Sequence, residues 1–165
     1  MSKLIVLSGI PGSGKSYLCS LLKKMKRSHV YVVSSDLLRN QIAGDQADLS
    51  FDPVMWRMFY EFPKTYALDK EAIVLLDATH ASVQYRTDSI KELVNLFDEV
   101  NMVMFHLDKK LVDNQNIERE HPVPQHVLDY YFDNFEPISE KDRKTFKHIY
   151  VIKSKDELAS VIDLM

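Results

Sequence analysis

Eight residues near the N-terminus, Gly9-Ile10-Pro11-Gly12-Ser13-Gly14-Lys15-Ser16, hold three of the chain's four glycines and spell G-x-x-x-x-G-K-S. Residue types at that spacing make a phosphate cradle. Glycines let consecutive backbone N–H groups turn inward toward phosphate oxygens. The run empties onto a helix N-terminus, whose partial positive charge favours anions. Lys15 can reach the β- and γ-phosphates, and the Ser16 hydroxyl can hold Mg²⁺. The implied chemistry is the binding of a nucleoside triphosphate. Gly9, Gly12, Ser13, Gly14, Lys15, Ser16 and Tyr17 are its candidate contacts.

Further candidates lie downstream. In Ser34-Ser35-Asp36-Leu37-Leu38-Arg39, Asp36 opens a predicted helix and Arg39 follows at i+3, so the two side chains share a face. Ser35 or Asp36 is equally well read as a helix N-cap, and Asp36–Arg39 as a surface ion pair of small worth. The chemical reading makes Asp36 a base for an attacking hydroxyl, with Arg39 holding an acceptor phosphate or fixing Asp36 in place. Asp77 ends the apolar run Ala72–Leu76, where a carboxylate would face Mg²⁺, through water, and Ser16. Thr79 and His80 follow in the strand-end loop. Thr79 is a substrate hydrogen-bonder, and His80 a positioning residue or a base.

Around Arg119, the charged segment Asn114–His121 lacks an apolar stripe and precedes Pro122-Val123-Pro124. It reads as a solvated loop, or as a lid of about residues 109–124 whose arginine stabilises charge on a transferred phosphoryl group. The aromatic run Trp56–Phe62 suits a core-packed helix, or a surface that stacks a base. The histidines show no metal-ligand spacing, which with one cysteine argues against zinc. Cys19, in the first helix, reads as packing.

Positioning these residues requires alternating elements. Predicted strands are 3–8, 29–34, 72–77, 101–107 and 146–152. Predicted helices are 15–26, 37–43, 53–69 (kinked or split at Pro63), 85–97, 109–118, 124–135 and 156–165. Strands separated by helices imply a parallel α/β sheet, with ligands beyond the strands' carboxyl ends. The 165 residues make one domain, 1–165, with 45% apolar content and no stretch near the ~20 residues of a membrane span. The N-terminus leads straight into the first strand, so neither a signal peptide nor a membrane partner is expected. One cysteine excludes an internal disulfide and suits the cytoplasm. A net charge of −3 is no footprint for wrapping duplex nucleic acid, though it leaves room for a pocket that takes one strand end.

Taken together, Gly9–Ser16, Ser34–Arg39 and Asp77-Ala78-Thr79-His80 with Arg86 resemble the polynucleotide 5′-kinase family, from Lys3 to about Ile152. The resemblance implies a P-loop kinase sheet of order 2-3-1-4-5 and flanking helices with a helical lid. It implies ATP and Mg²⁺ as cofactors and nucleic acid 5′ ends, DNA or RNA, as the partner, while association of identical chains is left open. Asp36 would be the general base on the 5′-hydroxyl, and Arg39 would contact the adjacent phosphate. Asp77 and Thr79 fall on the family's D-x-T segment, and Arg86 and His80 join the substrate side. The family commonly has Asn where His80 stands. It also has two lid arginines as R-x-x-x-R, where this chain has Arg119 alone. The alternative acceptors are a nucleoside, a small metabolite or a hydroxymethylated base in DNA. A second alternative is a nucleotide-binding module without transfer chemistry.

Overall fold

A computed structural model describes residues 1–26 and 29–165. Its elements run β1 (Lys3–Ser8), α1 (Lys15–Lys26), β2 (Val30–Ser34), α2 (Ser35–Ala43), α3 (Asp52–Tyr66), β3 (Ile73–Asp77), α4 (Val83–Thr87), β4 (Glu99–Phe105), α5 (Lys109–Ile117), α6 (Gln125–Asn134), α7 (Glu140–Thr145), β5 (His148–Ile152) and α8 (Glu157–Leu164). All five strands are parallel, in the order β2-β3-β1-β4-β5. The expected sheet order is therefore the observed one.

β1 is central and buried on both faces, which is why it reads as an unbroken apolar run. Its side chains alternate between two cores. Leu4 and Val6 face one core with Met55 and Phe59 of α3. Ile5 and Leu7 face the other with Leu18 and Leu22 of α1, Leu128 of α6 and Val161 of α8. Helices thus cover both sheet faces and leave the carboxyl edge open for the loops. No described helix is long and apolar enough to cross a membrane.

Four expectations need correction. α3 continues through Pro63 to Tyr66 rather than splitting. β4 begins two residues earlier than predicted, at the buried Glu99, whose carboxylate is paired with Lys147 and so tolerates a strand position. The predicted helix 85–97 is only α4 followed by a 3₁₀ turn, Asp88–Ile90, and further turns. There, Thr87 Oγ1 donates to Val83 O at 2.8 Å, a side-chain bond that competes with helix propagation. Ile90 and Leu93 nevertheless reach the core, so the apolar spacing was real while the helix was not. α7 was missed because it is short and polar. Its signal was the capping box of Ser139 and Asp142.

Arg86 stands in the last turn of α4. It was expected on the substrate side, yet its side chain has no solvent exposure and forms a bidentate ion pair with Asp142 of α7, at 3.1 and 2.9 Å. Its remaining N–H groups donate to the carbonyls of Glu136 and Pro137, both at 2.9 Å, and more distantly to those of His80 and Ala81. Arg86 is therefore a structural tie between the loop after β3 and α7. Arg86→Ala would leave the Asp142 carboxylate buried and uncompensated, at a cost of about 3–5 kcal/mol. Urea unfolding should show that loss. Arg86→Lys should recover little of it, because an ammonium cannot reproduce the two-pronged bond.

Candidate active site

The loop after β1 needs its glycines for stated reasons. A Cβ on Gly9 would sit 2.7 Å from Ser13 Oγ and 2.8 Å from Phe105 Cβ, closer than atoms pack. Gly14 has φ +104°, a conformation that side-chain-bearing residues rarely adopt. Lys15 is buried and curls back over the loop, donating to Gly9 O at 2.7 Å and Ile10 O at 3.0 Å. Burial pulls its pKa down to about 8. Asp77 and Asp36 oppose that shift, and Arg119 adds to it. Ser16 Oγ donates to Asp77 Oδ2 at 2.8 Å. The Asp77 carboxyl is pushed upward by desolvation, against the pull of Lys15 and the Ser16 hydrogen bond.

Three hydrogen bonds pin the loop after β3 to β1. Gly9 N donates to Thr79 O at 2.9 Å, Ser8 Oγ donates to His80 O at 2.9 Å, and the His80 ring meets Leu7 O at 2.7 Å through Nδ1. A carbonyl only accepts, so Nδ1 carries the proton and Nε2 accepts from Tyr60 Oη at 3.3 Å. Burial lowers the His80 pKa to about 4, so the ring is neutral at ordinary pH. Its φ of +44° is one that Asn and His tolerate better than most residues. The geometry is that of a positioning residue.

Ser34, rather than Ser35 or Asp36, caps α2: its side chain accepts from Leu37 N at 3.3 Å. Asp36 is thereby free in the first turn, its carboxylate half exposed and 3.2 Å from Arg39 Nη1. Arg39 is not free. It donates to both carboxylate oxygens of Asp52, from Nε at 2.8 Å and Nη2 at 3.2 Å, and to Gln46 O at 3.3 Å. A single N–H is left over. The expected contact with an acceptor phosphate therefore faces a competitor that the sequence reading missed. Asp52 lies in the first turn of α3, and its only signal was a carboxylate beside Pro53 at a helix start.

One cavity of about 1310 Å³ unites these groups. Between β1 and β2 it is lined by Asp36, Arg39, Asp52, Trp56, Tyr60, Thr79, His80 and Tyr85. On the β4–β5 side it is lined by Leu107, Gln115, Arg119, Val127, Tyr131 and Leu158, with Gly12 to Tyr17 between the two halves. The aromatic run is divided by helix period. Met55 and Phe59 enter the core, while Trp56 and Tyr60, stacked with ring centroids 6.1 Å apart, form the cavity wall. Arg119 faces the cavity and acts on the charges of both Lys15 and Asp77. The solvated-loop reading of its neighbourhood is only half right, since Val112 and Asn116 of α5 are buried. Cys19 is buried and its thiol pushed up by desolvation, which leaves it inert.

The residues present fit a nucleoside triphosphate and Mg²⁺. Ser13 Oγ and Arg119 Nη1 are buried without a hydrogen-bond partner, so both await an acceptor. Among the described residues no three His, Cys, Asp or Glu side chains converge as a cage. A cation held at Ser16 and Asp77 would therefore take its other ligands from phosphate and water, as Mg²⁺ commonly does.

Residues 4–138 match the profile of a family described as AAA domain, and the chain belongs to that family. Among solved structures it is similar to a gluconokinase from Sinorhizobium meliloti 1021, with TM-score 0.64, 18% identity and 98% of this chain covering 87% of that one. It is similar also to Chaetomium thermophilum Kti12 in complex with ADP-AlF3, with TM-score 0.69, 16% identity and 98% covering 96%. A fungal RNA kinase gives TM-score 0.64 and 16% identity, with 98% covering 83%. At such identities the likeness is one of fold, and the fold is that of P-loop kinases.

The Lys15 pKa has a consequence for binding. A polyphosphate beside it favours the charged form, so binding above about pH 8 must take up a proton. ATP affinity should be level below that pH and fall above it, approaching tenfold per pH unit. Lys15→Arg, which does not titrate in this range, should flatten the fall. Calorimetric titrations across pH 7–10 in buffers of different ionisation enthalpy measure both quantities, and a level wild-type profile would refute the assignment.

Proposed function

We propose that this member of the AAA-domain family is an ATP-dependent phosphotransferase with an alcohol acceptor, and that the acceptor is the 5′-hydroxyl of a polynucleotide. The observation that carries the kinase reading is the Asp36 carboxylate. It is held by Arg39 on the rim of the cavity whose floor is the phosphate loop. Support for a nucleotide end comes from the D-x-x-R spacing and from the open, aromatic wall of Trp56, Tyr60 and Tyr85 on the same side, where a terminal base would stack.

In this reading Lys15 and the loop amides grip the β- and γ-phosphates, with Thr79 beside the acceptor. Mg²⁺, when bound at Ser16 with Asp77 behind it, would spread the charge of the phosphate oxygens. Asp36 accepts the proton of the acceptor hydroxyl as that oxygen bonds to the γ-phosphorus. The bond to the β–γ bridging oxygen breaks, and ADP leaves with that oxygen. Arg119 compensates the negative charge that spreads over the moving phosphoryl group. Because that transition state is loose, positioning and charge compensation supply most of the catalysis.

A second reading, a small uncharged hydroxyl compound as acceptor, is favoured by one observation. The acceptor wall carries Asp36 and Asp52 against the single, heavily engaged cation Arg39. Labelled ATP offered with a 5′-hydroxyl oligonucleotide, a nucleoside and a polyol decides between them. Transfer to the oligonucleotide is expected, and transfer to nucleoside or polyol alone replaces the first reading by the second. With the accepted substrate, Asp36→Ala should lower transfer by about 10²–10⁴-fold and change ATP affinity by less than about twofold. Near-normal transfer by that variant would sink the base assignment, whereas a wild-type chain that binds ATP and transfers to none of the three acceptors would be a nucleotide-binding module.

A further inference from the structure

Three buried polar atoms among the described residues have no hydrogen-bond partner: Ser13 Oγ, Arg119 Nη1 and Gln115 Nε2. All three residues line the cavity described above. The first two belong to the site as drawn above, and Gln115 does not. We infer that Gln115 is a ligand of the donor's polyphosphate, an uncharged hydrogen-bond donor that completes the cradle from above. The inference rests on the reading of the cavity as a nucleoside triphosphate site.

The placement of α5 carries it. A Cβ built on Gly12 would lie 3.6 Å from Val112 Cγ1 and from Val112 O, and 3.7 Å from Asn116 Cβ, so α5 rests directly on the crest of the phosphate loop. The rest is fixed. Asn116 donates through Nδ2 to Val123 O at 2.8 Å and accepts at Oδ1 from Val123 N at 2.9 Å, which ties α5 to the start of the next helix. With Val112 and Asn116 turned onto Gly12, helical period puts Gln115 on the adjoining face, and Arg119, two residues past the end of α5, lines the same cavity. That face borders the cavity.

An amide N–H buried without an acceptor is costly and is rarely kept without a partner. The partner is an acceptor, since the other unpartnered groups at this site include an arginine N–H and the loop below it presents amides. Phosphate oxygens are acceptors only, and they lie where the loop holds them. The Gln115 side chain can turn either end inward, but only its nitrogen end can meet such an oxygen. Being neutral, it adds a directional bond to the polyphosphate without adding charge.

Gln115→Met keeps length and bulk and removes the amide. In the full chain, calorimetry with inorganic tripolyphosphate and with ATP should show about tenfold weaker binding of both. The loss should be alike at low and high salt, whereas the loss in Arg119→Met should shrink as salt rises. The melting temperature of the unliganded variant should not fall, because the unpaired donor has gone; a packing role would lower it and leave affinity unchanged. Tripolyphosphate has neither base nor sugar. Wild-type affinity of Gln115→Met for it overturns the inference, including the case where ATP alone is weakened and the amide belongs to the nucleoside. Gln115→Glu, of the same shape but acceptor-only, should weaken both ligands further. A wild-type chain that binds neither ligand would remove the nucleotide site and both readings with it.

Discussion

Everything functional hangs on the seam between the ends of β1 and β3. The Gly9 amide, the Ser8 hydroxyl and the His80 ring each cross it, through bonds of 2.7–2.9 Å to Thr79, His80 and Leu7 carbonyls. The P-loop leaves one side of this seam, and the loop bearing Thr79 and His80 leaves the other. A parallel pair has evenly spaced ladder bonds but loses them where strands end. These extra bonds continue the register past the last ladder pair, so the phosphate floor and the acceptor wall cannot slide apart. The costs are borne nearby. His80 occupies a left-handed conformation and stays uncharged, and Arg86 is buried to hold His80 and Ala81 from behind. Tyr60 then reads the His80 tautomer from α3, which makes the aromatic wall part of the same frame.

Charge in the cavity is arranged so that a ligand finishes it. Lys15 and Arg119 repel one another, and desolvation weighs on Lys15 most of all, pulling its pKa down to about 8. Desolvation acts in the opposite sense on Asp77. Two cations crowded together, with donors unpaired beside them, favour a polyanion. A carboxylate raised by burial favours a cation at Ser16. The two demands are met together by a magnesium polyphosphate, and neither alone relieves both.

Much of this was legible in the sequence because it is local. β1, the glycine run and α1 occupy consecutive residues, and a strand–loop–helix unit carries its own periodicities. Asp36 and Arg39 share a face at i+3 spacing on any helix. Sheet order entered through a family resemblance, not through residue patterns, since nothing local in β1 tells which strands flank it. The long-range partners were invisible for the same reason. Asp52 meets Arg39 only because α3 docks on α2, and Asp142 meets Arg86 across 56 residues. Arg86 entered the substrate side through the family resemblance alone; charged residues seldom lose all exposure, and only its partner on α7 shows why this one does. The apolar spacing of Ile90, Leu93 and Phe97 served a core position without a helix. Periodicity records burial first and backbone conformation second.

The acceptor half turns on a competition rather than on a contact. Arg39 has five N–H groups, and Asp52, Asp36 and Gln46 engage four of them. A phosphate near the acceptor hydroxyl must displace part of that set or accept the one N–H left. Displacing Asp52 would turn its carboxylate toward the newcomer, so the gain from Arg39 is offset by repulsion at close range. An uncharged acceptor incurs no such cost and finds Asp36 already oriented. In the proposed reading, the clamp that orients Asp36 as the base thus makes the wall discriminating. On that reading, a polynucleotide end would be admitted to the extent that stacking on Trp56 and Tyr60 outweighs what its phosphate loses at Arg39.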